Sequence, residues 1–274
     1  MEIQPLISIY HSPDADDMLM FWALKQELVS AGNYCFQWGI EDTQTLNQRA
    51  LSGQGDIIAV SAALLRGIRD RYEMMRVGAS VGRNYGPALV ALKPLQITEL
   101  QDAKIAVPGE HTTAALILNK ALHIHGIYRF QTITVPIVPF TGVYEALESK
   151  RVDAALLIHE GQFSYQEHGL HEVLNLGTWW HQATKLPIPL GVNAIRKKLP
   201  EYVKDELTDI LRNSMEYGLN NLDQALPELM RWNTERGSSC NTEKALREYI
   251  SRYVNADSLD LKDDVIEALY NLLT

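Results

Sequence analysis

Several apolar runs in this chain end on side chains able to do chemistry. The run "DAALLIH" (153–159) closes on His159, and Glu160 follows at once. An imidazole has an ordinary pKa near 6.5, so at neutral pH a histidine at a strand end offers a lone pair for general-base work. Neighbouring strand residues point to opposite faces, so Glu160 either orients the ring or meets a ligand. A satisfied polar strand end explains the same pair. "GEHTTA" (109–114) lets Gly109 make a tight turn and Thr112 or Thr113 cap a helix. The free first-turn amides and the positive dipole end then suit a carboxylate or phosphate, although plain capping needs the same residues. "SPDADD" (12–17) sets Asp14, Asp16 and Asp17 at a helix start. Acids there complement the dipole, or one of them faces a cleft. The glycine and distal glutamate of an EF-hand loop are missing. Ser61 ends a further strand, "DIIAVS" (56–61). Trp179, Trp180 and His181 read as core or lobe interface, with stacking on a flat ligand as the alternative.

These groups need a scaffold that brings strand ends together. Strands are expected over 6–12, 56–62, 87–95, 103–109, 132–140 and 153–159. Helices are expected over 14–31, 64–72 and from His111 to Gly126. Such alternation predicts an α/β fold with largely parallel sheets, whose ligands bind outside the carboxyl ends of strands. "RALSGQGDIIAVS" (49–61) and "EALESKRVDAALLIH" (145–159) share one helix–turn–strand plan. One such unit in each of two lobes would give two similar sheets facing a cleft; any helix–turn–strand unit shows the same pattern. From Pro200 onward the spacing is helical. The tail is expected to pack on a first lobe (1–92 plus 192–274), with a second lobe (93–191) inserted through two crossings that form a hinge.

Composition narrows the function. The chain has 274 residues and a formal charge of −9, which lacks the basic face of a nucleic-acid binder. Cys35 and Cys240 form neither a disulfide framework nor a zinc site. No apolar stretch reaches the roughly 18 residues of a spanning helix, and the first residues do not read as a secretory signal. A cytoplasmic protein without membrane contact is expected. GxGxxG, P-loop and GxSxG patterns are all missing, so nucleotide cofactors and a hydrolase elbow have no support. The helical tail offers a face for a homodimer.

The segments "HSPDADDMLMF", "EDTQTLNQRAL", "VPGEHTTAALIL", "LLIHEGQFSYQEHGL" and "LGTWWHQATKLPIPLG" occur in one order along nearly the whole chain. In this the chain resembles the 1,4-dihydroxy-6-naphthoate synthase family of the futalosine route to menaquinone. The resemblance implies a two-lobed fold like that of type 2 periplasmic binding proteins, with a central cleft and a C-terminal helical segment. It implies a lyase that splits cyclic de-hypoxanthine futalosine, an aromatic carboxylate, without metal or organic cofactor. His159 takes the place of the proposed base, with Asp17, Ser61, Thr112 and Thr113 as substrate-binding positions, alongside Glu160 and Asp16. The family's first loop reads Ser-Pro-x-Pro-Asn-Asp-Thr-Phe; here Ala15, Asp16 and Met18 replace the second Pro, the Asn and the Thr. A carboxylate at Asp16 about 5 Å from a ligand carboxylate would cost roughly 3 kcal/mol at an effective dielectric of about 20, or about a hundredfold in affinity. Two other readings keep the fold: a cytoplasmic small-anion-binding protein, and an enzyme like chorismate dehydratase.

Overall fold

The computed structural model describes residues 4–136, 141–238 and 240–274. Its strands in chain order are β1 (Leu6–His11), β2 (Cys35–Ile40), β3 (Ile57–Ser61), β4 (Tyr72–Met74), β5 (Ser80–Gly82), β6 (Ala88–Ala91), β7 (Lys104–Val107), β8 (Gln131–Thr134), β9 (Ala154–Leu157), β10 (His171–Asn175) and β11 (Ile188–Arg196). They form two sheets, one ordered β2-β1-β3-β11-β4 with β5 also on β11, the other ordered β10-β6-β9-β7-β8. In the first, β1 pairs parallel with β2 and β3, and β3 pairs antiparallel with β11. In the second, β7 pairs parallel with β8 and β9, and β9 pairs antiparallel with β6. The two sheets thus repeat one pairing plan. The helix–turn–strand similarity seen in the sequence corresponds to α2 (Thr43–Leu51) leading into β3 and α5 (Thr141–Glu148) leading into β9.

Sheet membership places the crossings slightly before the expected bounds. β6 lies within residues 1–92 yet pairs in the second sheet, and β11 starts within 93–191 yet pairs in the first. The chain therefore changes lobes over 83–87 and again near 187. Pro87 and Pro187 sit at these two points, where a missing N–H costs no ladder bond.

Three sequence-based bounds shift for local reasons. Helix α1 (Ala15–Lys25) stops short of the expected residue 31 because Glu27 turns left-handed at φ 56°. The helix expected over 64–72 shrinks to α3 (Leu65–Ile68), one turn after a short 3₁₀ segment. β8 ends at Thr134, two residues before Pro136, since a residue preceding proline leaves little room for a continuing ladder. The remainder of that expected strand, 137–140, lies outside the described residues.

The other helices are α4 (Thr113–Ile124), α6 (Gly161–Ser164), α7 (Leu176–Thr184), α8 (Glu201–Asn220), α9 (Leu222–Glu235), α10 (Glu243–Tyr253), α11 (Ala256–Leu259) and α12 (Asp263–Leu273). The tail packs on the first lobe: α8, α9 and α10 close over α1. Every residue of α1 from Ala15 to Leu24 is buried, including Asp16 and Asp17. A helix covered on all sides shows no polar face, which is why its amphipathic signal is weak.

Candidate functional site

The first wall of the cleft is the turn from β1 into α1. His11 is fully buried there, stacked on Phe21 at 4.7 Å. Its Nδ1 lies 2.7 Å from the Ser12 carbonyl and its Nε2 lies 2.6 Å from Lys25 Nζ. Burial, with the Lys25 charge, pushes its pKa down to about 3. The ring is therefore neutral, donating from Nδ1–H and accepting from Lys25. It acts as a strut. Asp14 occupies the N-cap of α1 but makes no capping hydrogen bond with its side chain. Its carboxylate is committed elsewhere. Oδ2 lies 3.1 Å from His159 Nε2, and Oδ1 accepts from Arg236 Nη1 at 2.9 Å. Burial acts to raise the Asp14 pKa, but His159 and Arg236 outweigh it and hold the group below its ordinary value.

The second wall is the end of β9. Ala154 to Leu157 are wholly apolar and buried, and the chain then turns sharply. His159 takes φ 50°, a left-handed conformation that costs a non-glycine residue free energy and persists only when its surroundings hold it. What holds it comes from the first lobe: Asp14, and Thr43 Oγ1 at 3.2 Å from the same Nε2. Nδ1 has no hydrogen-bond partner among the described residues. With Nε2–H donated to Asp14, the lone pair resides on Nδ1. The side chain keeps 19 % of its surface and lines the cleft.

The sequence-derived positions divide by role. Asp16, Asp17, Ser61, Thr112, Thr113 and His159 all line this one cleft. Glu160 does not: its carboxylate turns behind His159 and pairs with Arg236. Burial, then the Asp14 charge, pushes the Glu160 pKa up to about 7. Asp16 accepts from Ser80 Oγ at 2.7 Å and from Tyr249 Oη at 2.9 Å, so hydroxyl dipoles from two elements take up its charge. Asp17 accepts the Ser12 N–H at 2.8 Å, and burial together with Asp16 pushes its pKa up to about 7. Ser61 Oγ accepts from Asn47 Nδ2 at 3.0 Å, within its own lobe.

Of the roles the sequence leaves open at this helix start, Thr112 takes the capping one. Thr112 caps α4, accepting from the Ala115 N–H at 3.2 Å and donating to the Gly109 carbonyl at 2.7 Å. Thr113 Oγ1 donates to the Leu190 carbonyl at 2.7 Å and accepts the Ala63 N–H at 3.1 Å, tying the second lobe to the first. Both hydroxyls are occupied. The Thr113 and Ala114 amides have no partner among the described residues, so α4 offers backbone donors to an anion. Gly109 packs against the Gln44 side chain of the first lobe, and a Cβ there would overlap it. Close approach, rather than turn conformation, requires that glycine.

Trp180 is buried and donates to the Pro187 carbonyl at 2.9 Å, so it belongs to the core. Arg236, Tyr249 and Thr43 were not singled out by the sequence. Arg236 and Tyr249 lie in helical tail segments that look like ordinary amphipathic helix. Among the described residues no group of three His, Cys, Asp or Glu side chains is arranged to hold a metal ion, and no helix is long and apolar enough to cross a membrane.

Comparison with known proteins agrees with this architecture. The chain is 34% identical over 262 residues to the 1,4-dihydroxy-6-naphthoate synthase of Thermus thermophilus, covering 95% of this chain and 90% of that one. It superposes on the crystal structure of an Archaeoglobus fulgidus protein with a TM-score of 0.88 at 36% identity, covering 97% and 95% of the two chains. The alkanesulfonate-binding protein SsuA of Xanthomonas axonopodis pv. citri, bound to MOPS, shares the fold alone: TM-score 0.69, 13% identity, 98% and 91% coverage. The two-lobed periplasmic-binding-protein-like fold expected from the sequence is thus the fold observed. The sequence profile described as "Menaquinone biosynthesis" matches residues 7–274, and the chain belongs to that family.

Proposed function

We propose that this protein is a cytoplasmic carbon–carbon lyase that converts cyclic de-hypoxanthine futalosine to 1,4-dihydroxy-6-naphthoate. The observation that carries the reading is the contact of His159 Nε2 with Asp14 Oδ2 at 3.1 Å on the edge of the cleft. Asp14 is ionised at neutral pH, fixes the imidazole tautomer and stabilises the imidazolium once a proton is taken. His159 removes a substrate proton and so starts the bond cleavage. The α4 amides of Thr113 and Ala114 receive the substrate carboxylate, with Ser61 and Asp17 shaping the opposite wall. Asp16 is restrained by Ser80 and Tyr249, which limits its repulsion of that carboxylate. Closure of the lobes keeps water from the reacting atoms.

The fold is shared with solute-capture proteins, so pure binding is the competing reading. A left-handed histidine held by a carboxylate of the opposite lobe favours chemistry, because capture of an anion needs no such base. Incubating the purified protein with cyclic de-hypoxanthine futalosine and following the naphthoate by mass spectrometry decides between them. Product formation supports the lyase. Tight calorimetric binding with the ligand intact after hours supports capture.

A further inference from the structure

The lobes meet on one side of the cleft through a compact set of contacts. His159 reaches Asp14 and Thr43, Tyr253 Oη donates to Gln162 Oε1 at 2.9 Å, and Phe163 stands edge-on to Tyr249 at 5.7 Å. Arg236 lies at the centre of this set, just after α9. Its Nη1 donates to Asp14 Oδ1 at 2.9 Å, and its Nη2 donates to Glu160 Oε1. Its aim is fixed from behind. Nε and Nη2 donate to Asn233 Oδ1 at 3.1 and 3.0 Å, and the fully buried Asn233 donates to the Cys240 carbonyl at 2.7 Å. A planar guanidinium held in this way is a preformed fork for two carboxylates.

Glu160 explains what the fork does. It is fully buried, its Oε2 has no partner, and Arg236 on the opposite lobe is its ion-pair partner among the described residues. A carboxylate taken out of water needs a cation beside it, and for Glu160 that cation is Arg236, which reaches it only when the lobes are together. The ionisable groups facing the guanidinium are Asp14, Glu160, His159, Tyr249 and the Cys240 thiol.

We propose that Arg236 is the positioning residue of cleft closure: by gripping Asp14 of its own lobe and Glu160 of the other, it brings the lobes together and sets Asp14 against His159 in one step. The kinetic part rests on His159 acting as the base; the closure part stands on the contacts alone.

The test combines small-angle scattering of the ligand-free protein with turnover of cyclic de-hypoxanthine futalosine, for wild type, Arg236→Gln, Arg236→Lys and the nearly isosteric Glu160→Gln. Arg236→Gln and Glu160→Gln are expected to expand the scattering envelope. They should lower kcat by about tenfold or more with KM within about threefold, and Arg236→Lys should recover part of kcat. Should Arg236→Gln fail to fold, Glu160→Gln carries both readings. Wild-type scattering in both Gln variants overturns the closure role. An expanded variant with kcat within about twofold of wild type overturns the link to His159. If wild type does not turn over this substrate, the lyase reading fails while scattering still decides closure.

Discussion

β3 and β9 hold equivalent places in the two sheets, and each leads to a polar side chain in the cleft, yet those side chains are secured in opposite ways. Ser61, at the end of β3, is bound by Asn47 of α2 within its own lobe, through both its hydroxyl and its N–H at 3.0 Å. His159, just after β9, is bound by Asp14 and Thr43 of the other lobe and carries a strained left-handed backbone. One end is built before the lobes meet; the other is completed by their meeting. The helix starts differ in the same sense. α1 opens with Asp14, Asp16 and Asp17, and its dipole is met by the protein's own charge. α4 opens with neutral threonines and leaves two amides for a ligand. A repeated plan has been divided into a half that supports and a half that reacts.

If that division is right, breaking the inter-lobe contact must hurt activity far more than breaking the contact within a lobe. Asp14→Asn removes the charge that stabilises the imidazolium; kcat is expected to fall about 10²-fold, with the circular dichroism spectrum unchanged. A fall of less than about threefold would place Asp14 outside the chemistry.

A smaller effect sharpens the electrostatic side. The folded pKa of Asp17, about 7, lies above its unfolded value, so the native state binds more protons between pH ~4 and ~7 and loses stability as pH rises through that window. Asp17→Asn retains an acceptor for the Ser12 N–H without the buried charge. It is expected to be more stable than wild type at pH 8 by on the order of 4 kcal/mol, with the gain vanishing near pH 4. Urea melts at the two pH values check this, and a gain equal at both contradicts it.

Within-lobe contacts give the smallest changes. Ser61→Ala and Thr112→Ala should each lower stability by about 1 kcal/mol in urea denaturation. Ser61→Ala should cost kcat much less than Asp14→Asn does. A larger kinetic loss for Ser61 would erase the contrast between the two strand ends.

Much of this site was legible because open α/β sheets bind ligands at strand ends. His159, Ser61, Asp16, Asp17 and the α4 start were found by that rule, and the same cleft contains them. Their exact duties were not legible. Acids at a helix start read as caps, and only the fold shows Asp14 turned from its own helix to His159. Arg236 follows a helix and precedes Gly237, where a basic residue looks like an ordinary C-terminal complement to the dipole; its burial arises from lobe contact, which leaves no periodic trace. β2 was missed because it is an edge strand with exposed Cys35, Gln37 and Ile40, and β4 and β5 because three residues set no alternation. The helical tail was legible throughout, since α8, α9, α10 and α12 each keep one apolar face.

The most direct measurement is naphthoate formation from cyclic de-hypoxanthine futalosine by His159→Ala beside wild type, with thermal melts of both. The account predicts a folded variant melting within a few degrees of wild type and forming no product above background. Product formed at the wild-type rate by that variant would contradict it.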